Sequence, residues 1–271
     1  MESKIQIYPK KELLVKQFKK IINTFTKKLD EYIKDPNENN IHDIRIAIRR
    51  MESAHRILPK KNREDEGIKN YLEQAKTLFK VNTQIRDFDI IRAKLEKKHV
   101  AQFSQIINSL SDKRKSQIDA GHELALQLKD ISPPKLKGSK VIESKLRKRF
   151  QKIISKLIVE INHSVPIVLE DDKKIEEIHR LRKNFKKLRY SIELTSDKID
   201  SLKSIKSLKK IQDELGSIHD SDIFLDYLRD IEGSHELAEA IREEILERRK
   251  KYQKFIQVFK EEKLDPRKLV L

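Results

Sequence analysis

Residues 41–58 read IHDIRIAIRRMESAHRIL, and residues 178–195 read IHRLRKNFKKLRYSIELT. The side chains here that can do chemistry are guanidinium, ammonium and imidazole. Held rigidly in a row, such groups bind oxyanions: Arg forks take two oxygens and Lys supplies point charge. Whether a row exists depends on the helix beneath it. An α-helix turns about 100° per residue. With His42 at 0°, Arg45, Arg49 and Arg56 fall between about 300° and 340°, and Ile44, Ala47, Ile48, Met51 and Leu58 cover about 140° to 240°. With His179 at 0°, Arg182, Lys186 and Arg189 fall between about 280° and 340°, and Leu181, Phe185, Leu188 and Ile192 between about 180° and 240°. Lys183 and Lys187 add charge on the other side of the His179 line. Each stretch therefore carries a cationic edge along an apolar face.

A solvated basic face would intersperse Glu with Lys, because that spacing stabilises an exposed helix. EEILERRKK elsewhere in the chain does so. Residues 178–190 instead hold six Lys/Arg and no acid. Asp43, Glu52 and Glu193 are the exceptions, the last two near the row. The rows read as anion-binding.

His42 and His179 continue the rows, and read as hydrogen-bond donors to anionic oxygen, more charged at low pH. Neither has a His or carboxylate four residues on, so no metal is expected there. The pairs Asp87-x-Asp89 and Asp220-x-Asp222 precede new apolar runs, which predicts helix caps. They also have the charge to anchor arginines. Two carboxylates are a weak metal signal, and neither a metal nor a cofactor is expected.

Bulk composition agrees. The 271 residues are 39% charged and 37% hydrophobic with net charge +17, an excess that folding does not need and that points to a polyanionic partner. There is no Cys, which removes disulfides, thiolate zinc sites and cysteine nucleophiles. No window approaches the run of about 18 apolar residues that a membrane-spanning helix needs, and the N-terminus has no signal-peptide core. A soluble cytoplasmic protein is expected.

Five Gly and seven Pro among Lys, Glu, Ile and Leu predict an all-α chain of long helices. The first covers 10–34, with Leu14, Phe18, Ile21, Ile22, Phe25 and Leu29 at helical spacing. The second starts near 41, capped by Asn40, and ends by Pro59. A third covers about 66–80 and, after a break, another begins near 87; residues 100–130 are also helical. ISPPKLKGSK at 131–140 is the clearest linker. The pattern then restarts about 135 residues on. KLRKRFQKIISKLIVEI matches VKQFKKIINTFTKKL in style, IHRLR matches IHDIR, and IHDSDI matches IRDFDI. An internal duplication is expected, with halves 1–136 and 137–271, each a bundle of about four helices, packed about a pseudo-twofold axis.

The motif H-x-x-R-x-x-x-R-R at His42, Arg45, Arg49 and Arg50 resembles the CHAD family, the conserved histidine α-helical domain. So does H-x-x-R-x-x-x-K-K-x-R-Y at His179, Arg182, Lys186, Lys187, Arg189 and Tyr190, with Arg86-Asp87-x-Asp89 and His219-Asp220-x-Asp222 behind them. The resemblance runs from about residue 10 to 260. It implies two four-helix bundles with a basic central groove or pore, and non-catalytic binding of inorganic polyphosphate. The contacts it implies are His42, Arg45, Arg49, Arg50, His179, Arg182, Lys183, Lys186, Lys187 and Arg189, with Arg56 extending the row. Lys16, Lys19 and Lys20, with Arg147 and Arg149, are weaker candidates from the first helix of each half. Glu52 stands where family members often carry a cation. The rows of Arg45 and Arg49 and of Arg182 and Lys186 are expected to face one groove. Polyphosphate granules are one location this implies. The rival readings are RNA or DNA backbone binding, with nucleic acid as a competing polyanion, and metal-dependent polyphosphate hydrolysis. Against the first, aromatics are only 6% and there is no Trp.

Overall fold

The apolar periodicity of residues 10–34 becomes α1, Lys11–Lys34, which buries every residue expected on its inner face and also Tyr32. The computed structural model describes residues 9–98, 103–194, 199–231 and 235–262. Among them are α1, α2 (Glu38–Ile57), a single turn α3 (Lys60–Arg63), α4 (Glu66–Glu96), α5 (Ser104–Lys129), α6 (Glu143–Glu170), α7 (Ile175–Glu193), α8 (Ile199–Arg229) and α9 (His235–Glu261), with no strand. Residues 131–140 form the expected connection, with one 3-10 turn at Gly138–Lys140.

Helix ends follow local chemistry. Asp35 is extended, as a residue before Pro36 should be, and α1 stops there. The cap of α2 is Asn37, not Asn40. Asn37 is extended and its Oδ1 accepts the Asn40 N–H at 2.9 Å. Asn40 already lies in the first turn, and its side-chain amide donates to the carbonyls of Asp35 (2.8 Å) and Glu31 (3.3 Å), closing the end of α1. At the far end α2 stops before Pro59.

The expected break between 80 and 87 is absent, because α4 runs unbroken through it. Two polar residues in that stretch are accommodated within the helix: Asn82 Nδ2 donates to the Leu78 carbonyl (3.1 Å) and Thr83 Oγ1 to that of Phe79 (2.9 Å). Each is satisfied by its own preceding turn. Asp87 and Asp89 therefore stand mid-helix, and Asp220 and Asp222 likewise stand within α8. None of the four caps a helix.

The chain divides into two compact units, Lys10–Leu146 and Arg147–Leu271, the second also taking in Pro9. In the first, α1 packs on α2 and α5, and α4 on α2 and α5. Phe25 of α1 meets Tyr71 of α4 edge-on, with centroids 5.7 Å apart. His122 of α5 bonds the Ile33 carbonyl at 3.0 Å. In the second, α8 packs on α7 and α9. Tyr252 Oη of α9 donates to the Val168 carbonyl of α6 at 2.7 Å. Both units are closed by apolar burial, with Ile44, Ile48, Phe185 and Leu188 wholly inaccessible.

Candidate anion-binding rows

The core face of α2 buries Ile41, Ile44, Ala47, Ile48, Met51, Ala54 and Ile57, which pins the helix rotation and with it the cationic edge. Arg45 is buried at 9% exposure, Arg49 is half-buried, and Arg50 and His42 are exposed. The guanidinium carbons of Arg45 and Arg49 lie 5.7 and 5.1 Å from the centroid of the Phe79 ring on α4. Two neighbouring cations thus rest on one aromatic ring, which both attracts and positions them. Arg56 lies two turns farther along, half-buried, and burial lowers its pKa against the opposing pull of Glu52.

Asp43 does not neutralise this row undivided. Lys28 of α1 holds it at 2.7 Å, and the Lys28 pKa is pushed up to about 12 by its hydrogen bonds to Asp43 and Glu31. At the head of the row, His42 is held below the usual imidazole range, first by desolvation, then by Arg45, Arg86 and Arg49, with Asp43 opposing. Arg86 comes from α4 and donates to Glu38 at 2.8 Å.

On α7, the core face of Ile178, Leu181, Phe185, Leu188 and Ile192 is buried in the same way. Arg182, Lys186, Lys187 and Arg189 are half-buried, and Lys183 is exposed. Arg189 lies over the Tyr190 ring at 4.7 Å and pairs with Glu193 at 3.6 Å. His179 meets α8: its Nε2 is 3.0 Å from Asp222 Oδ2 and 2.8 Å from His219 Nδ1. His219 has its pKa pushed down to about 3 by desolvation and by Arg182, His179 and Lys186, which outweigh Asp222.

The second Asp of each pair holds an arginine from the last helix of its unit. Arg114 Nε of α5 donates to Asp89 Oδ1 at 2.6 Å, and Arg248 Nε of α9 to Asp222 Oδ1 at 2.5 Å. Desolvation alone would raise the Asp222 pKa. Hydrogen bonds from His179 and Arg248 win, and it lies below the usual carboxylate range.

The structure thus gathers His42, Arg45 and Arg49 around Phe79 and Arg86, and His179, Arg182 and Lys186 around His219. Lys16, Lys19 and Lys20 share an exposed face of α1 with Asn23, Thr24 and Lys27. Arg147 and Arg149 stand at the start of α6, exposed and half-buried. Phe79, Arg114 and Arg248 were missed from sequence. The signal for the two arginines was there, since they are 134 residues apart, close to the repeat spacing.

No helix among the described residues is long and apolar enough to cross a membrane. A search of curated proteins finds no match. Among solved structures, the CHAD domain from the plant Ricinus communis matches with a TM-score of 0.59 at 14% identity, over 99% of this chain and 93% of that one, which shows a common fold. The CHAD domain family model matches residues 16–229, most of the sequence, and the chain belongs to the CHAD domain family.

Proposed function

We propose that this chain binds inorganic polyphosphate, without catalysis, through the cations of α2 and α7. The observation that carries this is the treatment of the aromatics beside the rows. Phe79 already lies under Arg45 and Arg49, and Tyr190 under Arg189. Rings occupied by guanidinium are poor stacking platforms for a nucleobase, whereas single-stranded nucleic acid relies on such platforms. Polyphosphate offers oxygens at about one charge per phosphate and no bases, so cations fixed on helices suffice. From His42 to Arg56 the row extends roughly 21 Å at about 1.5 Å per residue, enough for several phosphates.

The repeat spacing in the sequence supports the same reading. By that spacing His42 corresponds to His179, Arg45 to Arg182, Arg49 to Lys186, Asp89 to Asp222 and Arg114 to Arg248, so each stretch supplies a row and the ion pair behind it. A cytoplasmic location, where polyphosphate granules form, belongs to this reading.

The test is competition between polyphosphate of defined length and RNA at equal phosphate concentration, at two salt concentrations. Polyphosphate should displace RNA, and its affinity should fall steeply with salt through counterion release. Displacement of polyphosphate by RNA would overturn the reading. Release of phosphate in magnesium or manganese would overturn its non-catalytic part.

A further inference from the structure

The outward face of α1 carries a second set of cations, apart from the row of α2. With Phe18 at 0°, the buried residues of α1 fall between about 300° and 40°, and Lys16, Lys19, Lys20 and Lys27 between about 100° and 200°. Lys28, which holds Asp43 of α2, falls at about 280°. The lysine face therefore turns away from α2 and its row.

The linker extends this face. Lys129 Nζ is 2.8 Å from Asp30 near one end of α1, and a side chain at Gly138 would meet Val15 near the other at 3.8 Å. The chain between Lys129 and Gly138 thus runs back along α1. ISPPKLKGSKVI, 131–142, holds three lysines and no acid, and Lys135, Lys137 and Lys140 are all exposed.

These charges are uncompensated. Among the described residues, Lys16, Lys19, Lys20, Lys135, Lys137 and Lys140 make no ion pair, although Glu12 stands one turn before Lys16. The outward face of α9 is the contrast. There Lys250 and Lys254 hold Glu247 and Glu214 at 2.7 and 2.8 Å, as a solvated lysine-rich face should. Apolar side chains flank the uncompensated patch. Leu126 and Ile142, 43% and 49% exposed, are the exposed large hydrophobics of the first unit among the described residues, and they stand on either side of the linker.

The chemistry selects the partner. Lysine is a hydrated point charge without a bidentate fork, so a patch of lysines suits a diffuse anionic surface better than one fixed oxyanion. The aromatic residues of α1, Phe18, Phe25 and Tyr32, are all buried, so none stacks on a nucleobase. Two exposed aliphatic side chains add nothing on a string of phosphates, but they enter the headgroup layer of a bilayer favourably. We propose that the α1 face and the linker dock this chain on the surface of an anionic lipid bilayer. The lysines meet headgroup phosphates, and Leu126 and Ile142 reach the acyl boundary. Clusters of four to eight cations bind such surfaces, each adding about fivefold to the affinity.

The full chain is cosedimented with vesicles of phosphatidylcholine, alone or mixed with phosphatidylglycerol. Binding is expected to the mixed vesicles only, and to fall at high salt. Lys16→Gln, Lys19→Gln and Lys20→Gln together should lower the partition coefficient about 100-fold. Removing three charges from α9, by Lys250→Gln, Lys254→Gln and Lys260→Gln, should lower it less than about threefold. Ile142→Ser should lower it several-fold. Substitution at exposed lysines spares the core, which circular dichroism checks. No binding to the mixed vesicles, equal binding to the neutral ones, or an equal loss from the α9 substitutions would each overturn the proposal. Unchanged vesicle binding in the α1 variant, with weakened binding of RNA or polyphosphate, would give the face to that polyanion and overturn it too. The vesicle assay contains no polyphosphate, so its failure leaves the reading of the rows untouched.

Discussion

The corner of α2 and α4 and the corner of α7 and α8 use one plan with different fittings. Both place a His and a line of cations on the edge of a buried helix face. Both set an Asp mid-way along the next long helix and lock it to an arginine from the last helix of the unit. They differ in what touches the row. In the first unit, Phe79 lies under two arginines and Arg86 adds a further cation near His42. In the second, by the spacing of the IRDFDI and IHDSDI motifs, Gln212 replaces Phe79 and His219 replaces Arg86. The shared part is the ion pair that fixes one helix on another. The variable part is the layer in contact with the row.

The largest effect should come from the shared part. Asp222→Ala takes the hydrogen-bonded carboxylate from a buried Arg248, leaving it only Asp172 at 3.8 Å, and is expected to cost about 3–5 kcal/mol in denaturant unfolding. Asp89→Ala should cost less, since the Arg114 side chain is 21% exposed against 7% for Arg248 and can reach water. Equal costs would break the comparison. Next come the rows. Reversing Arg49, Arg182 and Lys186 to Glu together should weaken polyphosphate binding about 100-fold or more near physiological salt while leaving the helical circular dichroism intact. If one unit's reversals alone produce the whole loss, the rows are not equivalent.

A smaller effect separates the units directly. Phe79→Leu removes the ring under Arg45 and Arg49 and should weaken polyphosphate binding about three- to tenfold, as expected for one or two partly exposed cation–π contacts. Gln212→Leu, its counterpart, should change affinity little. The smallest concerns pH. His42 has a lowered folded-state pKa, so the unfolded chain takes up this proton first as pH falls below about 6.5, and His42 subtracts from stability there. An anion at the row opposes Arg45, Arg49 and Arg86 and restores proton affinity. Binding should therefore tighten a few-fold between about pH 7.5 and 5.5 with proton uptake, measured by calorimetry in two buffers. His42→Gln should flatten its share of that slope.

Much of this could be read from residues 41–58 and 178–195 alone. Apolar spacing sets which face of a helix is buried, and the cationic edge follows from about 100° per residue; the burial of Ile44, Ile48, Leu181 and Phe185 agrees. The all-helical character follows from the same periodicity. Local ambiguity produced the errors. Asn37 and Asn40 are equally good caps by type, and it is the extended Asn37 whose side chain accepts the Asn40 N–H. A break was expected between 80 and 87, yet there Asn82 and Thr83 each bond the turn before them and the helix continues. The tertiary structure alone decided the register between helices. It placed Phe79 under Arg45 and Arg49, joined Asp89 to Arg114, and brought His179 to His219 across 40 residues of chain. A period describes one helix about its own axis. Which residues meet across two axes is set by how their side chains interlock, and no single helix contains that information.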